Sequence, residues 1–368
     1  MSYTIETISD RAGFDALESE WNTLLSRSDT ASLFLTHEWI SAWLDIVPSA
    51  PPMLILTARD AQQRLCGIAP FYVGEMRLAG LRTYRCLRVL GDCHSGAENQ
   101  DLIIDGTVTG VASALSDAIV DCAVHFDWMW IPHTRTGAGC SERMSVVAER
   151  MHGFCYTRSF EYCEIALPDC HDTYLKRLSK GTRYNLRRQS RQFADAALVE
   201  RLQPNHADDL DGWLEDFFAM HARRWHAVGK QGSFERRPLL AQFYRRFIPV
   251  ALARGWLRFY RMQIDGSTAA MQLGYRYGDR MMAIQEAFDP DGVAGAGNSL
   301  RERVISDCIA EGALIYDFLA HATPHKMRWR AATSEGLSLF CGVPSLANAP
   351  LKSLSLWPNG RFIQHSSP

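Results

Sequence analysis

The chain has 368 residues, room for two domains. With 47% apolar and 11% aromatic residues it can bury large cores, which excludes a disordered or low-complexity protein. The net charge of −2 hides an asymmetry, −9 over residues 1–165 and +7 over 166–368. The second half is therefore the expected partner of an anionic ligand, unless two packed halves simply complement each other.

No run approaches the ~20 apolar residues of a membrane span, so no membrane insertion is expected. The opening MSYTIETISD has neither the basic nor the apolar region of a secretory signal, so the expected location is cytoplasmic. The ten cysteines form no CxxC pair and are expected reduced. The 12 histidines include no HExxH, and no spacing argues for a metal.

In chain order, Tyr3–Ile8 reads as a strand. Residues 11–27 read as a helix, with Phe14, Leu17, Trp21, Leu24 and Leu25 at helical spacing. LFLTHEWISAWLDIV (33–47) predicts a second helix with Thr36 at its N-cap. Strands are predicted at 53–58, 63–72, 87–90, 101–104, 128–131 and 160–167. Helices are predicted at 108–125 and 141–151. Pro168-Asp-Cys-His-Asp172 is the candidate linker. A helix over 172–193 and a strand over 197–202 follow, then helices over 206–228 and 237–254. Three strands, 256–264, 268–277 and 280–287, are joined by Asp265-Gly266 and Gly278-Asp279, both hairpin signals. A glycine-rich loop, a helix at 298–311, a strand at 313–319, a short helix near 324–332 and a strand near 336–342 complete the chain. This is a mixed α/β pattern that recurs loosely, so two related domains are expected, 1–167 and 168–368.

The loop AFDPDGVAGAGNSLRERV (287–304) holds Gly292, Gly295 and Gly297, with Asn298 or Ser299 able to cap the next helix. Small residues allow close backbone approach, and a helix N-terminus offers unpaired N–H groups and partial positive charge. GxGxxG and GxxxxGK[ST] are absent. What remains is pyrophosphate binding of the coenzyme A kind, or an ordinary capped helix. The stretch 176–191 carries seven basic residues and no acid, with Arg183, Arg187 and Arg191 on one helical face. Coenzyme phosphates, a phosphorylated or nucleotide-linked acceptor, RNA, or a plain solvated face all fit. RNA fits least, because the chain is not basic overall. Lys326 is one of only five lysines against 34 arginines.

The pieces SKGTRYNLRR (179–188), FAMHARRW (218–225) with Gly229, FDPD (288–291) with the glycine loop, and YDFL…HKMRW (316–329) together resemble a GNAT-type acetyltransferase. More narrowly, they resemble the CelD/BcsL-like (BioF-associated) family, related to Fem-type aminoacyltransferases. FLTHEWISAW (34–43) is similar to the start of such chains. The resemblance implies two tandem GNAT-like domains, each a mixed, mostly antiparallel sheet flanked by helices. The first is degenerate and shapes an acceptor cleft, and the second binds the donor. It implies N-acyl transfer from acetyl-CoA, without a metal, to a polar small-molecule or saccharide-linked acceptor. Exopolysaccharide or cell-envelope synthesis is the expected setting. Aminoacyl-tRNA as donor, or a non-catalytic accessory role, stays open, and the oligomeric state is not legible.

By resemblance Lys326 lies beside the transferred acyl group, where an ammonium binds phosphate or stabilises an oxyanion. It is otherwise a lysine on a short exposed helix. Glu286, Asp317 and His321 are the candidate bases, with Glu286 and Asp317 preferred. Gly295, Gly297, Asn298 and Ser299 are the expected donor-binding residues. Arg183, Arg187, His221, Arg224, Trp225, Gln272, His321 and Trp329 are candidates for substrate contact, although aromatics at helical spacing are more often core. The relatives usually carry a glycine soon after the DFL. Here the chain reads Ala320-His-Ala-Thr-Pro324.

Overall fold

The computed structural model describes residues 2–78, 82–136, 146, 147, 149–151, 154–193, 196–343, 363 and 364. Most of the predicted helix 141–151 and the C-terminal tail lie outside them. The chain divides into two units, 1–160 with 335–368, and 161–334.

In the first unit, strands Thr4–Ile8 (β1), Met53–Arg59 (β2), Leu65–Leu78 (β3) and Arg82–Val89 (β4) form an antiparallel series. Ile103–Ile104 (β5) pairs with β3. Trp128–Arg135 (β6) lies parallel to β4, and the C-terminal strand Ala332–Gly342 adds on antiparallel to β6. The helices are Arg11–Ala16 (α1), Glu18–Leu25 (α2), His37–Leu44 (α3) and Val111–Asp121 (α4). Thr36 caps α3 by accepting from the Trp39 N–H, as its sequence predicts. The single helix expected over 11–27 is instead two, because Leu17 ends one and begins the next.

In the second unit the strand order is Phe154–Ala166 (β7), Ile315–Ala320 (β12), Arg280–Phe288 (β11), Ser267–Tyr277 (β10), Leu257–Ile264 (β9) and Ala197–Arg201 (β8). All neighbours are antiparallel except β11 and β12, which are parallel. The helices are His171–Arg177 (α5), Lys180–Phe193 (α6), Leu210–His226 (α7), Ser233–Arg236 (α8), Pro238–Ala253 (α9), Ala296–Ala310 (α10) and Pro324–Met327 (α11). The helix predicted over 172–193 breaks at Leu178-Ser179, where the Ser179 hydroxyl accepts from the Thr182 N–H.

Both units repeat one plan: an edge strand, a three-strand meander, a crossover helix (α4 or α10), a parallel strand, and a last antiparallel strand. That last strand comes from the other half of the sequence in each case. β7 pairs with β12 through Tyr162, Glu164, Ile165 and Ala166, and the C-terminal strand pairs with β6. A boundary at 167/168 gives each sequence half the strand that pairs in the other unit.

Alternation along β9 sets the layers. Tyr260, Met262 and Ile264 pack with Leu186, Phe193, Leu300 and Val304 of α6 and α10. Phe259 meets Trp213 and Phe217 of α7 on the opposite face. Helices therefore cover both sheet faces. The hairpin at Asp265-Gly266 has both residues left-handed (φ 49° and 76°), the twist a two-residue connection needs.

The expectation of reduced cysteines needs one correction, since Cys341 is disulfide-bonded. Cys66, Cys86, Cys93, Cys122, Cys163, Cys170 and Cys308 are free. Periodicity predicts the strand at 336–342 but carries no information on which cysteines are bonded.

Candidate active site

β11 and β12 pair over only Arg280–Met282 and Ile315–Asp317. β11 then runs on to Phe288 and β12 to Ala320, unpaired with each other, which leaves a wedge between the strand ends. Side chains from α7, α10, α11 and both strands converge there.

Glu286 of β11 is held by Arg301 of α10 in a two-pronged ion pair, with Arg301 Nε 2.7 Å from Oε1 and Nη2 on Oε2. Arg301 is 3% exposed, and its guanidinium lies over Phe318 and Trp329, 5.4 and 5.3 Å from the ring centroids. Its Nη1 is 2.6 Å from His325 Nε2. Arg328 Nη2 approaches His325 Nδ1 (2.8 Å) and Asn298 Oδ1 (2.6 Å). Arg224 of α7 donates to the Glu286 carbonyl (2.9 Å) and stacks on Phe288 (4.2 Å). Partial burial, then Arg301 and Arg328, push the His325 imidazole down to about 4.

Asp317 is fully buried, ion-paired to Arg280 (2.8 Å), and accepts from the Leu319 N–H (2.7 Å). Arg280 also binds Glu164 of β7 (2.7 Å). Asp317 thus shapes the bend at the end of β12, where Leu319 (φ 62°) and, just beyond the strand, His321 (φ 69°) are left-handed. Left-handed backbone at a bulky residue costs about 1–3 kcal/mol and collects at functional sites. The Lys326 ammonium donates to the Ala320 carbonyl (2.6 Å) and lies 3.5 Å from that of Leu319.

The α10 N-terminus opens differently from the sequence expectation. The helix starts at Ala296, so Gly297, Asn298 and Ser299 lie in its first turn and neither polar residue is the cap. Gly295 is the N-cap, left-handed at φ 98°, with no side-chain cap on the first amides. The Gln189 amide of α6 packs against the Gly295 Cα, where any side chain would collide with it. Four buried polar atoms on this face have no hydrogen-bond partner among the described residues: Gln189 Oε1, Ser299 Oγ, Gln272 Oε1 and Trp329 Nε1. Unmatched groups of this kind cost about 1–3 kcal/mol each unless water or a ligand meets them.

The outer face of α6 lines a cleft of about 530 Å³ with Lys180, Arg183, Tyr184, Arg187, Arg188 and Arg191. Arg183 is partly engaged, donating to the carbonyls of Lys176 (2.7 Å) and Leu178 (2.9 Å) at the end of α5. Arg187 and Arg191 have no carboxylate partner among the described residues.

Other candidates sit in the packing. His221 is 2% exposed, accepts the Trp225 indole N–H at Nε2 (3.1 Å) and lies against Phe234. Burial and then Arg224 push its pKa down to about 4. His221 is therefore internal, with half-buried Trp225 packed beside it. Trp329 is core, its carbonyl accepting from the Tyr174 hydroxyl (3.1 Å). Gln272 donates to the Tyr316 hydroxyl (2.7 Å). The His321 N–H donates to the Glu161 carbonyl (2.7 Å). Arg301, His325, Arg328 and Gln189 were not singled out as site residues. In sequence Arg301 reads as one more polar helix position, and only the crossover of α10 brings it to the wedge.

A mixed sheet with a parallel pair splayed at one end, a crossover helix and a glycine N-cap define a GNAT-type acyltransferase fold. Residues 180–327, from α6 to α11, match the family model described as an acetyltransferase (GNAT) domain. No curated protein matches the sequence. Among solved structures, FemX aligns over 95% of this chain and 99% of its own, at 10% identity and a TM-score of 0.65. A conserved protein of unknown function from Bacteroides thetaiotaomicron aligns over 92% and 100%, at 12% identity and 0.56. The C-terminal domain of a protein assigned as a lysylphosphatidylglycerol synthetase from Agrobacterium fabrum aligns over 92% and 94%, at 9% identity and 0.52. At these identities the likeness is one of fold.

Proposed function

We propose that the chain is an acyl-CoA-dependent N-acyltransferase acting on a polar, amine-bearing acceptor. The observation that carries this reading is the α10 N-terminus: a turn with no side-chain cap behind left-handed Gly295, packed against Gln189 on the buried face of α6. The Gly297 amide and the positive end of the helix suit a pyrophosphate oxygen, while the Ala296, Asn298 and Ser299 N–H groups donate to the Val293 and Gly295 carbonyls; Arg187 and Arg191, on the outward face of α6, suit a further phosphate. No phosphate-binding side chain is needed at Asn298 or Ser299, whose positions add polar atoms in the first turn.

In the reaction the acceptor nitrogen attacks the thioester carbonyl. The C–N bond forms, the C–S bond breaks, and the thiolate leaves and takes up a proton from solvent, while the proton the amine gives up goes to Glu286. The Lys326 ammonium stabilises the tetrahedral oxyanion, held in place by the strained turn at Leu319–His321. Glu286, a quarter exposed at the wedge, accepts the amine proton, and Asp317 is a positioning residue for the turn. A CelD/BcsL-like role in exopolysaccharide or cell-envelope synthesis is the setting this reading favours.

A second reading, aminoacyl transfer from tRNA, is favoured by the continuous basic stripe of α6 with exposed Tyr184. Transfer assays separate the two. Full-length protein is incubated with acetyl-CoA and a panel of primary amines, and free thiol is read with a chromogenic disulfide. Amine-dependent thiol release supports the acyl-CoA reading. No release with any amine, alongside deacylation of aminoacyl-tRNA, contradicts it.

A further inference from the structure

We propose that Arg224, Arg328 and the Arg301–Glu286 pair form a recess for an anionic group, a carboxylate or a phosphate, carried by the acceptor amine. The inference rests on the acyl-transfer reading and names the acceptor class: an amine with an acidic group a few bonds from its nitrogen.

The first argument is charge. Three guanidinium groups, from α7, α10 and the turn after α11, gather around Glu286, but only Arg301 binds its carboxylate, taking both oxygens. Arg224 is left with a backbone carbonyl and a phenyl face. Arg328 is left with the Asn298 amide oxygen and a neutral ring nitrogen. Two positive charges are therefore uncompensated within the cluster. For half-buried Arg224 this is costly, because charge removed from water normally finds a counter-charge; exposed Arg328 keeps its solvent.

The second argument is hydrogen-bond arithmetic. His325 meets an arginine N–H at both ring nitrogens. A neutral imidazole offers one acceptor lone pair and an imidazolium none, so at least one of the two donors is unmatched. The site holds more donors than acceptors, and a planar anion supplies acceptors in the fork geometry guanidinium prefers. Burial and the neighbouring arginines lower the pKa of Arg224 and Arg328, which agrees with uncompensated positive potential.

The third argument is access. His325 and Arg328 are exposed, whereas Arg301 behind them is buried, so the recess has a rigid floor and an open rim. An anion on Arg224 and Arg328 sets a nearby ammonium against Glu286, the group assigned above to take its proton.

The test follows the His325 Cε1–H resonance of the full-length protein by NMR at pH 6.5, identified by its loss in His325→Asn. Inorganic phosphate, acetate and glycine are the probes. The expected result is a saturable shift, with Kd raised about tenfold or more by Arg328→Gln or Arg224→Gln, the loss of one charge-assisted contact. Arg328→Gln is the safer variant because its side chain is exposed, and unchanged thermal unfolding verifies that it folds. A response to phosphate alone assigns a phosphorylated acceptor. A response to acetate and glycine assigns a carboxylate. No saturable shift with any probe, or an equal shift in the arginine variants, overturns the inference. Acetyl-CoA binding in the same samples is independent: retained with a silent recess, it removes the acceptor class and leaves the donor reading standing.

Discussion

His221 and Lys326 show how differently two basic side chains read once folded. Neutral His221 lies beneath Phe217 and Phe234 with its pKa held near 4, against about 6.5 when unfolded. Its contribution to stability is complete above pH 6.5 and is lost as pH falls towards 4. Each unit in that window costs about 1.4 kcal/mol. Urea unfolding at pH 7, 6 and 5 is expected to show this slope, and His221→Asn to reduce it, since His325 and His37 are lowered in the same direction. Lys326 instead anchors the turn by its bond to the Ala320 carbonyl. Lys326→Ala is expected to lower acyl transfer about 10²–10³-fold, the effect of removing one oxyanion donor, with Kd for acetyl-CoA nearly unchanged. Lys326 stands out in the sequence because lysine is rare here. His221 is misread there because helical spacing does not say which face is buried.

At the scale of elements, α10 and its approach carry the donor reading. Gly295→Ala forces an alanine to φ 98° and into the Gln189 amide. It is expected to cost about 2 kcal/mol or more in chemical unfolding. Gln189→Ala in the same chain removes the collision but not the backbone strain, so it recovers part of the loss. Hairpin turns were legible because Asp-Gly and Gly-Asp have few conformations open to them. Helix ends were less so. Asn298 and Ser299 look like caps, but left-handed Gly295 already takes the N-cap position and the helix starts at Ala296. The breaks at Leu17 and Leu178 were illegible because apolar periodicity continues across them. The α6 stripe, read from i, i+4 spacing, is where the sequence placed it, although Arg183 is partly spent on the end of α5.

At the scale of the molecule, the repeat of strand order in the two units was visible only as element order. The exchange of last strands was not, since a period of two identifies a strand and not its partner. Fragments 1–167 and 168–368 each lose the strand that completes their sheet. Both are expected to aggregate or lack cooperative unfolding, whereas the full chain folds. Circular dichroism melts of the purified fragments check this, and two independently folded halves would contradict the pairing of β7 with β12 and of 332–342 with β6.

The central claim is that the second unit holds a coenzyme A donor at the start of α10. Thermal unfolding of the full chain with acetyl-CoA, beside desulfo-CoA, ATP and aminoacyl-tRNA, tests it most directly. At 100 times its Kd, acetyl-CoA is predicted to add about 2.7 kcal/mol and raise the midpoint by a few degrees. Desulfo-CoA should do nearly as well, and Gly297→Val should abolish both shifts. An unmoved midpoint at millimolar acetyl-CoA, with stabilisation by aminoacyl-tRNA, would contradict the account.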